Sequence, residues 1–491
     1  MAAAPSPTGS QVPAARLRVS ADRPVAGDGR FVLYWMTAFR RTRWNFALQR
    51  AVDWARALGK PLWIVEPLSL GGRWRNDRRH RFLLDGMADH AARFESKPAG
   101  YYPFVEREPG QADALLDALG RAACVIVGDD HPMPLHAFPR RALPVRCETV
   151  DANGLLPLRA AEREFARAVD FRRFLQRSLP DHLPAAPKAD PFGRVQLPPP
   201  GRLPREVTRR FPPAPAGLLS GTGAGMTRLP IDHRVAPSAI GGGETAARKQ
   251  WRGFLAQRLE HYGELRNHPD DDATSGLSPY LHFGHVSAHE VFHDLARRKG
   301  WSPNRLGEKA TGSREGWWGL SGPAEAFLDQ LVTWRELGFN LCSRRNDFDR
   351  YESLPRWARE TLADHAADRR AYTYGLDALA AGRTHDPLWN AAQHQLVREG
   401  RLHNYLRMLW GKKILQWTAS PQDALGVMIE LNDTYALDGE DPNSYSGIGW
   451  VLGRFDRPWG PERPIFGKIR YMTSENTARK LRVERYLARS T

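Results

Sequence analysis

"FVLYWMTAFRRTRWNFALQRAVDWARALGKPLWIVEPL", residues 31–68, decides the class of the first half of this chain. Residues 31–35 form a short β-type apolar run. "TRWNFALQRAVDWARALG" then places its apolar residues at helical spacing and stops at Gly59, and "PLWIVEPL" at 61–68 is a second β-type run. A helical pattern at 79–96 and further β-type runs at 101–106 and 124–130 continue the alternation. Strands alternating with helices predict a parallel sheet with right-handed crossovers. The carboxyl edge of such a sheet is where a small ligand would bind. Neither GxGxxG nor a P-loop occurs, so the pattern does not name that ligand.

Beyond this half the composition changes. Residues 186–245 are rich in Pro and Gly ("VQLPPPGRLP", "FPPAPAGLLSGTGAG") and read as a long linker or wrapping loop. Helical patterns then dominate: 246–262, 287–299, 323–340, 354–368, 389–398, 401–418 and 420–432. Residues 440–475, rich in Gly, Pro and aromatics, are expected to be irregular but ordered. The stretch before residue 29 has no apolar h-region and no twin arginine, and is expected to be a disordered tail. With 491 residues, two domains are the natural expectation: 29–185 and 246–491, joined by 186–245.

The balance of 71 Lys and Arg against 55 Asp and Glu gives a formal charge of +16, which suits a polyanionic partner, nucleic acid before membrane. No run of about 18 apolar residues exists to span a bilayer, so a soluble, intracellular protein is expected. Three cysteines without a CxxC pair exclude a disulfide framework and a metal site built from cysteine alone.

Four stretches carry candidate chemistry. In "TSGLSPYLHFGHVSAHE", 274–290, Thr274, Ser275 and Ser278 supply hydroxyls where a helix begins, a setting that serves either as a cap or as a cradle for phosphate oxygens. In "FLDQLVTWRELGFN", 327–340, Gln330 and Trp334 share one side at i, i+4. "PLWNAAQHQLVREGRLHNYLRMLWGKKILQW", 387–417, places Trp389, Trp410 and Trp417 among many basic residues; Trp410 and Trp417 are two helical turns apart, and core packing alone would explain that spacing. In 430–450, Asn432, Asp438, Asp441 and Asn443 crowd a Gly-rich turn, either solvated or set to pair with Arg407.

Taken in order, "LSPYLHFG", "THDPLWNAAQ", "RMLWGKKILQW", "LNDTYALDGEDPN" and "RPIFGKIRYM" resemble the photolyase/cryptochrome family, and within it the class II cyclobutane pyrimidine dimer photolyases. The likeness runs from about 31 to 485 and is dense after 260. It implies an α/β, Rossmann-like antenna domain, a linker, and an all-α C-terminal domain holding FAD. It also implies a possible second antenna chromophore, a deazaflavin or methenyltetrahydrofolate. The implied partner is double-stranded DNA containing pyrimidine dimers, met by a monomer away from membranes, and the implied activity is light-driven dimer splitting.

By the same resemblance, Tyr262, Thr274, Ser275, Leu277 and Ser278 bind the FAD diphosphate region. Arg407 and Asp438 pair beside the isoalloxazine, Asn432 faces flavin N5, and Asn404 stands in a His-Asn pair near the cofactor. Trp410, Trp389 and Trp417, with Tyr374 as a further member, form an electron-transfer chain. Trp334, Trp450, Met408, Gln330, Asp456 and Trp459 belong to the substrate pocket. Gln330 departs from the glutamate usual there; it can donate an N–H but no proton. Asn404 and Met408 occupy the positions where (6-4) photoproduct enzymes use histidine, which argues against that chemistry. The rival expectation is a cryptochrome-like photoreceptor; a purely structural DNA-binding protein would not explain the tryptophans together with Arg407 and Asp438.

Overall fold

Phe31, Leu33 and Trp35 point to one face of a sheet, Val32 and Tyr34 to the other, and all five are buried, so this strand has a core on both sides. The computed structural model describes residues 7, 9–139, 141–221 and 225–489. They divide into two compact units. One holds the described residues up to Glu162 together with Leu179–Trp251 and Leu277–Arg298; the other holds Arg163–Ser178, Arg252–Gly276 and the residues from Lys299.

In the first unit, strands β1 (Leu17–Ala21), β2 (Phe31–Trp35), β3 (Leu62–Leu68), β4 (Gly100–Val105), β5 (Ala123–Asp129) and β6 (Cys147–Val150) form one sheet in the order β1-β6-β5-β2-β3-β4. All neighbours are parallel except β1, which runs antiparallel to β6. Helix α1 (Phe46–Leu58) is capped by the Asn45 side chain and ends at Gly59, whose φ of 60° suits glycine. It packs on the Val32 face with Phe94 from α2 (Asp77–Phe94), while α3 (Gln111–Gly120) lies on the other face. Leu203, Val207 and Phe211, from the Pro-rich stretch, cover that second face.

Two strands were not expected. β1 lies inside the stretch read as a disordered tail, and the antiparallel ladder to β6 orders it. β6, "CETV", is wholly buried although it carries Glu148. Arg50 and Arg146 donate to that carboxylate at 2.7–3.1 Å and Trp54 at 2.8 Å, so the charge is paired inside the domain. At the carboxyl ends of β2 and β5, Asp129 accepts from Tyr34 Oη at 2.8 Å and from the amides of Thr37, Ala38 and Phe39 at 2.9, 2.7 and 2.9 Å.

The second unit is helical. Pro387–Glu399, Asn404–Trp417, Pro421–Tyr435 and Pro442–Val451 enclose a core of Trp389, Trp410, Trp417, Leu406, Ile414, Met428 and Val451. The helix Asn404–Trp417 is buried nearly all round, Lys412 included, as befits a central helix. Burial pulls the Lys412 ammonium down to about 7, and its Nζ donates to the Val451 carbonyl. Pro442–Val451 lies in the stretch expected to be irregular: Asp441 caps it and Pro442 occupies its first turn, overriding a Gly- and Ser-rich sequence. The single helix expected over 323–340 is three pieces, Gly322–Leu328, a π-helical turn at Asp329–Trp334, and Arg335–Arg344. The α/β plus all-α class read from the sequence is the one observed. Among the described residues no helix is long and apolar enough to cross a membrane.

Candidate functional site

Arg407 sits in the first turn of Asn404–Trp417, where its guanidinium reaches two partners from the end of the next helix and the turn beyond. Nη1 donates to Asn432 Oδ1 at 3.2 Å, and Nη2 lies 3.6 Å from Asp438 Oδ2. The Asn432 Nδ2 donates to Asp433 Oδ1 at 2.8 Å, which fixes the orientation of its amide. Asp433 is fully buried and also accepts from Glu440 N and Tyr445 Oη, at 2.8 and 2.9 Å. Burial, reinforced by Asp433, pushes the Tyr445 phenol well above its ordinary value, so it stays a donor. Arg407, Asn432 and Asp438 thus form one polar cluster carried on a buried frame.

Just before this helix, the half-buried Arg401 grips both Asp272 oxygens at 3.0 and 2.9 Å. Asp272 adopts φ 41° and accepts from Thr274 Oγ1 at 3.5 Å. His403 is buried, its ring nitrogens have no close hydrogen-bond partner among the described residues, and burial lowers it to about 4 despite an opposing pull from the Arg266 backbone. Asn404, the first helical residue, is exposed. Tyr262 packs edge-on against Phe254 and Phe327, both at 5.6 Å, and its burial raises the phenol pKa. Leu277 is buried, and Ser278 opens the short helix Ser278–His282.

The three tryptophans and Tyr374 are neighbours in the helical core. Trp389 and Trp417 meet edge to face at 5.5 Å, and Tyr374 meets Trp417 at 5.4 Å. Trp389 Nε1 donates to the Trp410 carbonyl at 3.0 Å, while Trp410 Nε1 donates to Gln393 Oε1 at 2.8 Å. All three indoles are buried, whereas Tyr374 is half-buried. Trp410 lies one helical turn from Arg407, on the helix that bears the polar cluster.

Trp334 and Trp450 stack on each other at 4.7 Å and 24°. They therefore present one continuous aromatic wall, not two plates with a gap. Gly338 lets their helices meet: a Cβ there would lie 3.0 Å from the Pro442 carbonyl oxygen. Trp334 Nε1 donates to Asp329 Oδ2 at 3.1 Å, and Arg172 holds Asp329 through contacts of 2.8 and 3.3 Å. Gln330 is half-buried in the same π-helical turn, a form of helix that recurs at functional sites. Met408 packs at the margin of the helical core. Asp456 Oδ1 accepts from Trp459 Nε1 at 3.1 Å, and the exposed Trp459 ring lies beneath Arg457 and Arg470.

Sequence reading missed Arg172, Asp329, Asp272, Arg401, Asp433 and Tyr445 as members of these clusters. Several lie inside the quoted motifs, but their partners are distant in sequence; Arg172 and Asp329 are 157 positions apart.

No protein-family model matches the chain. The chain is 34% identical over 465 residues to the deoxyribodipyrimidine photo-lyase of Methanothermobacter thermautotrophicus, covering 94% of each. It is 34% identical over 497 residues to the protein of that name from Oryza sativa subsp. japonica, covering 96% of this chain and 90% of the relative. The corresponding Arabidopsis thaliana protein is 31% identical, with 93% and 88% covered. Among solved structures, a bacterial class III photolyase from Agrobacterium tumefaciens superposes with a TM-score of 0.67 at 18% identity, covering 94% of this chain and 86% of that one, a likeness of fold. Identity of this extent across nearly the whole length places the chain in the deoxyribodipyrimidine photo-lyase family.

Proposed function

We propose that this chain uses light to split cyclobutane pyrimidine dimers in double-stranded DNA, as an enzyme of the class II type with FAD as its cofactor. One observation carries the reading: an aromatic path from Tyr374 through Trp417 and Trp389 reaches Trp410, one helical turn from the Arg407–Asn432–Asp438 cluster. The residues present fit a flavin nucleotide. Arg407 and Asn432 supply cationic and amide donors for a polar ring edge, and the buried His403 ring, without a close hydrogen-bond partner among the described residues, stands near Asp272 and its Thr274 turn. Reduced flavin, when bound, supplies the electron that opens the dimer.

The protein's own groups do the rest. Asp438 and Asn432 hold Arg407 in place, Tyr262, Thr274 and Ser275 would line the diphosphate end, and Asn404 would stand near the cofactor. A dimer is poorly stacked, so flipping it out costs only a few kcal/mol. The Trp334–Trp450 wall gives it an apolar face, with Met408, Asp456 and Trp459 around it. Asp329, fixed by Arg172, keeps the Trp334 indole at its angle. The test is extraction of FAD from protein purified in the dark, then anaerobic illumination with a dimer-containing oligonucleotide and a count of restored thymines. Absence of FAD, or restored thymines no more numerous than in a protein-free control, would end this reading.

Gln330 sets the efficiency. Charge developing on a dimer carbonyl is stabilised by donors aimed at it, and loss of such a donor elsewhere costs about 2.7–4 kcal/mol. Here the amide still donates, so Gln330→Glu is expected to raise dimers repaired per absorbed photon by less than that figure implies. Repair by Gln330→Glu alone would make the natural protein a photoreceptor.

DNA affinity is expected to fall steeply with salt, given the +16 charge, with a slope of about −0.9 per phosphate neutralised. The preference for dimer-containing over intact duplex should persist at high salt, because stacking on Trp334 and Trp450 is not ionic. Equal affinity for both duplexes at every salt concentration would remove the wall from the substrate site.

A further inference from the structure

At the outer end of the aromatic path, the Tyr374 hydroxyl lies 2.7 Å from His385 Nδ1. The backbone N–H of His385 also donates to the same phenolic oxygen at 3.1 Å, and with His385 in its Nε2–H tautomer the phenolic O–H donates to Nδ1. The phenol is tethered where it matters: the Tyr374 amide donates to the Trp417 carbonyl at 3.1 Å, and the two rings meet at 5.4 Å. His385 is fixed in turn. Asp386, next in the chain, caps the helix that carries Trp389 by accepting from its amide at 3.0 Å. The imidazole stacks on Tyr372 at 3.8 Å and meets Trp417 at 5.2 Å, yet it remains exposed.

From this geometry we infer that His385 is the proton acceptor for Tyr374, and that the pair ends the path as a proton-coupled electron donor. The inference rests on the reading of the path given above. When Trp417 has lost an electron inward through Trp389 and Trp410 to photo-excited flavin, Tyr374 refills it. One electron passes from the phenol to the Trp417 indole; the Tyr374 O–H bond breaks, and an N–H bond forms at His385 Nδ1. The products are a neutral indole, a neutral tyrosyl radical and an imidazolium, so charge balances. Nε2–H of the exposed ring can then release a proton to water. Regenerating the neutral Tyr374 phenol takes a proton as well as an electron, which slows charge recombination and gives an external thiol reductant time to supply that electron. His385 contacts the phenol that reacts and not the flavin, so its part is to take and pass on a proton.

The experiment uses the full-length protein and two ways of removing the electron. In the first, a blue flash excites the flavin as purified, and the conversion of indole radical to phenoxyl radical is followed by absorption in H2O and D2O. In the second, flash-generated ruthenium(III) tris-bipyridine is the oxidant, and the radical is identified by electron paramagnetic resonance; subtracting Tyr374→Phe isolates the phenoxyl of Tyr374. Phenoxyl formation is expected to be slower in D2O, to fall by about a hundredfold in His385→Ala, the order a positioned base contributes, and to recover on adding imidazole. His385→Phe, which preserves ring stacking, should behave like His385→Ala but without imidazole rescue. Phenoxyl forming at the wild-type rate in both variants would overturn the inference, as would a rate indifferent to D2O. If no flavin were present, the first measurement would report the failure of the cofactor reading, while the second would still judge the Tyr374–His385 pair.

Discussion

Under the proposed function, replacing Trp389 by phenylalanine is expected to slow light-driven flavin reduction by about two orders of magnitude or more while FAD content stays near normal. A hundredfold loss needs only about 2.7 kcal/mol of added barrier, and a benzene ring is harder to oxidise than an indole by far more than that. Trp389 is fully buried between Trp417 at 5.5 Å and the Trp410 backbone, so its indole is the link between them. The structural cost is smaller: one hydrogen bond, about 0.5–1.5 kcal/mol, and a modest cavity. Melting and extracted FAD should therefore change little. Photoreduction at the wild-type rate in both Trp389→Phe and Trp410→Phe would mean that these indoles serve the core alone.

Arg172→Ala should destabilise the helical unit by about 3–5 kcal/mol, because it strands a carboxylate away from water. Asp329 is 7% exposed and accepts from Arg172 Nε at 2.8 Å, while the Trp334 indole that also donates to it is neutral. Arg172 also donates to the Gly312 carbonyl at 3.3 Å, so a second contact goes with it. Removing the charge as well, in Arg172→Ala with Asp329→Asn, should recover much of the loss. Urea unfolding of the two single variants and the double variant measures the coupling directly, and strict additivity would contradict it. In Asp329→Asn alone, the preference for dimer-containing DNA should weaken, since the Trp334 indole loses its ionic acceptor.

The legible parts of this molecule are those in which neighbouring residues repeat a pattern. β2, α1 and β3 follow from apolar runs and a helical stripe closed by Gly59, and the tryptophan helices follow from their spacing. β6 escaped because Glu148 sits in a buried strand and is paired with Arg50 and Arg146, a solution that no apolar run announces. Pro442–Val451 escaped because its Gly and Ser content argues for a loop, and only the close approach of Pro442 to Gly338 shows why a helix suits it. In the site, the residues named by family motifs could be written down from the sequence. Their supports could not, since Arg172 lies 157 positions from Asp329 and Arg401 lies 129 from Asp272. Such pairs exist only once the chain has folded.

The turn at Asp329–Trp334 bears on how this gene can change. A π-helical turn has one residue more than the α-helix around it would use. Loss of a single codon within it would let the segment relax into a regular helix and swing everything beyond by about 100°. Trp334 would leave Trp450, and Gly338 would no longer face Pro442. Point changes that keep the count intact leave the winding in place. Across these six positions, selection should therefore tolerate new letters more readily than a missing one, and lineages that keep the aromatic wall should keep the length of this segment fixed.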